Sequence, residues 1–180
     1  FSILNNILPQ KMTGRGRFPF VGGALGFFSY DAGRLIETLP DLTSERYALP
    51  EIYVGIYDWA VVVDHQDERA YLASHNVDHQ TQQIWPELIE ILSIVKTRPV
   101  QATGQSSCWS SSLTFDQYSV CFEEIQRYIL AGDCYQVNLA QRLSCDFSGD
   151  TFELYRQLRQ RARAPYGAYI ETPQSAILSF

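Results

Sequence analysis

Three sets of residues have types and spacings that could do chemistry. The first is histidine: His75 and His79 stand at i and i+4, the separation of two metal ligands on one helix face, and His65 precedes them. Asn76 and Asp78 make the stretch around them a poor helix, and His65 falls on a charged turn at 64–68, so the spacing reads as surface histidines and not as a metal centre. The second is a basic stretch with glycines: Lys11, Gly14, Arg15, Gly16 and Arg17. Such a loop can grip a phosphate, but it lacks the Lys-Ser/Thr pair and the following helix of a phosphate loop, and it reads as solvated. The third is the polar face of residues 135–145, where Gln136, Asn138 and Arg142 alternate with larger apolar side chains. Neither an amide nor a guanidinium is an ordinary acid or base at neutral pH, so these groups hold partners and do not move protons. Two readings stay open: the solvent face of a half-buried antiparallel strand, or a polar lining whose amides each need a partner. No Ser-His-Asp arrangement emerges, and Cys108, Cys121, Cys134 and Cys145 lack C-x-x-C spacing, which leaves free thiols of a cytoplasmic protein as the expectation.

The elements that must position these residues follow from periodicity. Thr114 is placed to cap a helix with Gln117 closing a capping box; Tyr118, Cys121, Phe122, Ile125, Tyr128 and Ile129 make its apolar stripe, and Gly132 ends it. The period then changes to two, predicting a strand over 135–145 with Tyr135, Val137, Leu139, Gln141, Leu143 and Cys145 on one face. Asp150 caps a second helix, with Glu153 at its capping-box position, Phe152, Tyr155 and Leu158 as its stripe, and Arg156, Arg159, Arg161 and Arg163 as a solvated basic end. A strand pair follows at 168–170 and 175–180 around Thr172-Pro173-Gln174.

In the first half, 20–30 reads as a strand whose Gly22, Gly23 and Gly26 lack dinucleotide-binding spacing. Residues 31–37 suggest a short helix or turn with an Arg34–Glu37 pair, and 40–50 a polar loop. Residues 52–64 read as one strong strand and 69–74 as its hairpin return. A helix spans 80–96, with Pro86 best placed as the first residue of the helix proper. Residues 97–112, rich in Ser, Gln and Thr, suggest a linker between a region at 1–96 and another at 113–180. The class is α+β with antiparallel sheet.

A hydrophobic content of 46% with 19% charged residues is that of a soluble globular protein. A net charge of −6 with no basic cluster argues against nucleic acid, and no apolar run reaches membrane-spanning length. A start without Met and an end inside the apolar run Ala176-Ile177-Leu178-Ser179-Phe180 suggest a fragment.

The run Gly132-Asp133-Cys134-Tyr135-Gln136-Val137-Asn138-Leu139-Ala140-Gln141-Arg142 closely resembles the segment that opens the chorismate-binding region of the chorismate-utilising enzymes, and within them the aminodeoxychorismate (para-aminobenzoate) synthase component I branch. Residues 22–37, 54–65 and 163–170 resemble the same family in the same order, so the resemblance covers nearly the whole chain. It implies an antiparallel β-sheet sandwich with outer helices, of which this chain would be a truncated part. It implies an enzyme that takes chorismate and ammonia to 4-amino-4-deoxychorismate on the route to folate, with Mg²⁺, and with ammonia supplied by a glutamine amidotransferase subunit. In the family the proton-donating Glu of a Ser-Pro-Glu segment, the nucleophilic lysine of Pro-Ile-Lys-Gly-Thr and the metal-binding glutamates come later than the segment resembling Ile177-Leu178-Ser179-Phe180, so the resemblance places no catalytic residue and no metal ligand in this chain and implies that the chain alone is inactive. Arg163-Ala164-Pro165-Tyr166-Gly167-Ala168-Tyr169 resembles a segment that walls a tryptophan pocket in some relatives, which implies Pro165, Tyr166 and Gly167 as tryptophan contacts; from the residues alone the same stretch is a Pro-containing turn. Gly167 stands where relatives often carry Ser, a departure that bears on which ligand is held.

Two alternatives accompany this reading. Anthranilate synthase component I shares substrate and fold, but its Asn-Pro-Ser-Pro-Tyr-Met run is absent here. A non-catalytic tryptophan-sensing module built on the Pro165 turn would need none of the later catalytic segments.

Overall fold

In the computed structural model, which describes residues 2–7, 16–40, 49–94 and 104–180, the longest apolar run of the first half does not form one strand. It divides at Asp58. β1 (Gly23–Phe28) pairs antiparallel with β2 (Ile52–Tyr57), from Gly23 opposite Tyr57 to Phe28 opposite Ile52. After Asp58, β3 (Trp59–Asp64) pairs with β4 (Arg69–Ser74) in a separate sheet. The single strand expected over 52–64 is thus corrected to two, because one bend lets each half take a different partner. Gly26 is required in the first pair: a β-carbon there would lie 1.9 Å from the Tyr53 carbonyl oxygen.

The turn after β3 is held by Asp64, whose carboxylate accepts from the amides of Gln66 (2.9 Å) and Asp67 (3.1 Å). Those amides, Asp67 first, hold its carboxyl below the ordinary range. After β1, Ser29 caps a 3-10 helix, Tyr30–Leu35, by accepting from the Ala32 amide. The ion pair of Arg34 runs back to Asp31 at 3.0 Å, in place of the expected Glu37, and the guanidinium also donates to the carbonyl of Pro40. A short helix, α1 (Ser2–Ile7), lies near the start of the chain.

α2 (His79–Ser93) begins at Asp78, whose carboxylate accepts from the Gln80 amide. Pro86 therefore lies inside the helix and not at its first position. The strong N-cap overrides the local preference of one Pro, at the cost of a missing backbone donor. Lys11 and Arg15 of the basic stretch, most of the 40–50 loop and residues 97–103 lie outside the described residues.

The chain divides into two units, Phe1–Arg98 and Pro99–Phe180. In the second, β5 (Gln105–Ser106) and β6 (Ser110–Ser111) are followed by α3 (Phe115–Ala131). Thr114 and Gln117 close the capping box in both directions, and Gly132 ends the helix in the left-handed conformation, φ 83°. The chain then returns through β7 (Leu143–Ser144), paired with β6, and β8 (Phe147–Ser148), paired with β5. Part of the stretch whose composition suggests a linker is therefore hydrogen-bonded to 142–148.

Asp150 caps α4 (Thr151–Ala162) by accepting from the Phe152 and Glu153 amides. β9 (Ala168–Glu171) and β10 (Ala176–Ser179) close as an antiparallel hairpin. Tyr155 from the α4 stripe packs among Phe152, Tyr169 and Phe180, with ring centroids 5.4–6.3 Å apart. Glu153 departs from its expected role: only 3% exposed, it pairs with both of its oxygens to Arg156 at 2.9 and 3.1 Å. Arg156 is correspondingly not part of a purely solvated helix end.

Candidate functional site

The recognisable segment after α3 comes first. The left-handed turn at Gly132 lets the chain leave α3, and residues 136–142 follow without assigned secondary structure. The predicted strand is realised only at its end. The Ser112 amide donates to the Arg142 carbonyl (2.8 Å) and the Arg142 amide to Ser112 Oγ (3.0 Å), after which β6 and β7 pair. Gln141 Nε2 donates to Ser111 Oγ at 2.7 Å. Residues 135–140 have no ladder partner among the described residues. Alternation selects two faces but does not supply a neighbouring strand, and the expected strand over 135–145 is corrected accordingly. Both faces are open: Gln136, Asn138 and Arg142 are exposed, and so is Tyr135 on the other side, at 94%.

The turn that joins α4 to β9 comes second. Arg163 ends α4 in the left-handed conformation, φ 49°, its amide donating to the Arg159 carbonyl at 3.0 Å. Pro165 is exposed, and Tyr166 is 92% exposed. Gly167 is half-buried over that cluster; a β-carbon there would lie 3.5 Å from the Tyr155 hydroxyl and 3.3 Å from the Ser179 carbonyl oxygen. Tyr155 is thus a platform beneath the turn. Sequence reasoning placed it only on a helix stripe, because its position under residue 167 depends on how β9 folds back.

The third place, the Asp58 bend, was not singled out from the sequence. Ser74 Oγ donates to the Asp58 carbonyl (2.6 Å) and carboxylate (3.2 Å), and the Val77 amide donates to the carboxylate at 3.1 Å. Burial raises the carboxyl's pKa, but hydrogen bonds from Thr81, from the Val77 and Asp78 amides and from Ser74 outweigh it and hold the group below its ordinary value. An ionised carboxylate with its lone pairs taken up in this way ties the hairpin corner to the start of α2; it is not a general base.

His65, His75 and His79 occupy the β3–β4 turn, the residue after β4 and the first position of α2. Among the described residues no group of three or more His, Cys, Asp or Glu side chains converges, so these residues do not make the ligand set that Mg²⁺ would need. No helix of the described residues is long and apolar enough to cross a membrane. Cavities of about 630 and 690 Å³ flank α2 in the first unit and include none of Pro165, Tyr166 or Gly167.

The fold of this chain is that of anthranilate synthase component I from Streptococcus pneumoniae, on which it superposes with a TM-score of 0.82 at 22% identity, covering 98% of this chain and 42% of that one. The chain belongs to the chorismate binding enzyme family, which it matches over residues 3–180. Aminodeoxychorismate synthase component 1 of Escherichia coli is 44% identical over 98% of the chain, and the protein of the same name from Bacillus subtilis is 36% identical over 89%. Anthranilate synthase alpha subunit 1 of rice is 32% identical over 94%. The chain spans 38% of the length of the Escherichia coli protein and 36% of the Bacillus subtilis one.

Proposed function

We propose that the whole protein aminates chorismate to 4-amino-4-deoxychorismate, as component 1 of an aminodeoxychorismate synthase serving folate synthesis in the cytoplasm. The observation that carries this reading is the 44% identity to the Escherichia coli component 1 over 98% of the chain, against 32% to a rice anthranilate synthase subunit. A glutamine amidotransferase subunit would supply the ammonia. Mg²⁺ would screen a chorismate carboxylate while an acid assists the C4 hydroxyl to leave, with ligands that the described residues do not provide. In this reading the chain is a truncated part of a fold of two stacked antiparallel sheets with helices outside, and 97–112 connects a region at 1–96 to the start of the chorismate-binding region at 113–180.

The test is an assay of the whole protein with chorismate, ammonia and Mg²⁺. Formation of 4-amino-4-deoxychorismate supports the proposal, and formation of anthranilate overturns it in favour of the second synthase. The 180-residue chain by itself is expected to form neither. One ligand site accompanies the proposal: Pro165, Tyr166 and Gly167 as one wall of a tryptophan pocket. The support is the exposed Tyr166 ring, which packs no core. Tryptophan binding to the whole protein that is unchanged by Tyr166→Ala removes that wall from the reading.

A further inference from the structure

We propose that the 630 Å³ cavity between β4 and α2 binds an uncharged, flat aromatic molecule bearing a carboxamide or lactam edge. Its volume lies within the range of about 300–1,000 Å³ usual for small-molecule pockets. Phe18 and Trp85 supply aromatic walls, Leu72 and Ala73 apolar lining, and Asn76, Gln82 and Ser74 the polar groups, with Ser74 Oγ already donating to Asp58. Among the described residues, no Lys, Arg, Asp or Glu lines it.

The Phe18 wall is held by its neighbours. Phe18 packs on Tyr71 with centroids 4.8 Å apart, and the Arg17 guanidinium lies 4.8 Å from the Tyr71 ring centre while donating to its hydroxyl at 2.9 Å. Trp85 and Gln82 stand one turn apart on α2, which places ring and amide on the same face. Asn76 is held in the left-handed conformation, φ 56°, with its backbone amide donating to Ser74 Oγ at 2.7 Å. Neither side-chain amide, of Asn76 or of Gln82, is hydrogen-bonded to another described residue.

The ligand class follows from these groups. Each primary amide offers both a donor and an acceptor, the complement of an adjacent N–H and C=O on a ring. A charged ligand would lose hydration and gain no ion pair from the lining. Arg17, next to the Phe18 wall, is already engaged with Tyr71 and stands 3.8 Å from Asp67.

Benzamide is the probe, titrated into the whole purified protein by calorimetry and by tryptophan fluorescence. Saturable binding at one site is expected, with benzoate and benzylamine at least about tenfold weaker. Gln82 is exposed, so Gln82→Leu should leave the melting temperature in place while weakening benzamide about tenfold. Trp85→Phe should keep binding but remove the fluorescence response. Absence of saturation, equal affinity in Gln82→Leu, or tighter binding of either charged probe overturns the proposal.

Discussion

Residues 52–64 and 135–142 both read as strands in the sequence and meet different fates. The first run is paired along its whole length except at Asp58, with β1 on one side of the bend and β4 on the other. Among the described residues, the second reaches hydrogen-bonded neighbours only at its C-terminal end, around Gln141 and Arg142. The difference lies in the company of each run. The first carries its own return: the Asp64 turn brings β4 back within a few residues, and β1 precedes it. The second leaves a helix through Gly132, and no hairpin returns along 135–140 among the described residues. A ladder belongs to two segments, so an alternating pattern in one of them settles its faces and not its pairing.

The most severe way to break this contrast is to strip the first run of its partner. Gly26→Val puts side-chain atoms where the Tyr53 carbonyl already stands, and it should destabilise the first unit on the order of 3 kcal/mol by prying β1 from β2. Thermal melts of parent and variant decide it. A variant that melts with the parent would mean that the β1–β2 pair contributes little to that unit.

A smaller change tests the bend. Asp58→Asn keeps the size of the side chain and removes the charge that Val77, Ser74 and Thr81 stabilise, at an expected cost of about 2 kcal/mol. The sign of its pH dependence follows from the lowered folded-state pKa. Stability from this carboxylate is present above the ordinary value of 3.8 and fades as the pH falls through the lower folded value. The parent's stability should therefore drop more steeply below that point than the variant's. Parallel pH–melt curves would show that Asp58 is not the group that ties the corner to α2.

What was legible in the sequence follows the same division. The caps at Thr114, Gly132 and Asp150 depend on residues within one turn and are found as read. So are the β3–β4 and β9–β10 hairpins, whose turns lie between their strands. The break at Asp58 depends on Ser74, Val77 and Thr81, which no local window joins to it. Glu153 was legible as a first-turn residue, but its burial against Arg156 was not, since a capping box and an i, i+3 ion pair compete for the same carboxylate. Pro86 misled for a related reason: its preference for a first turn is local, whereas α2 starts where Asp78 caps it. The Pro165-Tyr166-Gly167 turn was visible as a turn, and the Tyr155 platform beneath it required the tertiary fold.

The smallest expected effect is also the one that sharpens the comparison most. Asn138 lies on the open polar face of the second run and is exposed in this chain. Asn138→Leu should therefore change the stability of the 180-residue chain by less than about 0.5 kcal/mol. In the whole protein proposed above, the same face would line an interior, and the amide would have a partner to strand; there the substitution should cost roughly 1–3 kcal/mol. The two melts, chain and whole protein, form one experiment. A cost that appears only in the whole protein means that this run acquires its neighbours from residues outside the chain. A cost already present in the chain means that Asn138 has a partner within it. Equal stability in both, with activity lost in the whole protein, assigns Asn138 to substrate contact and ends the case for a structural role.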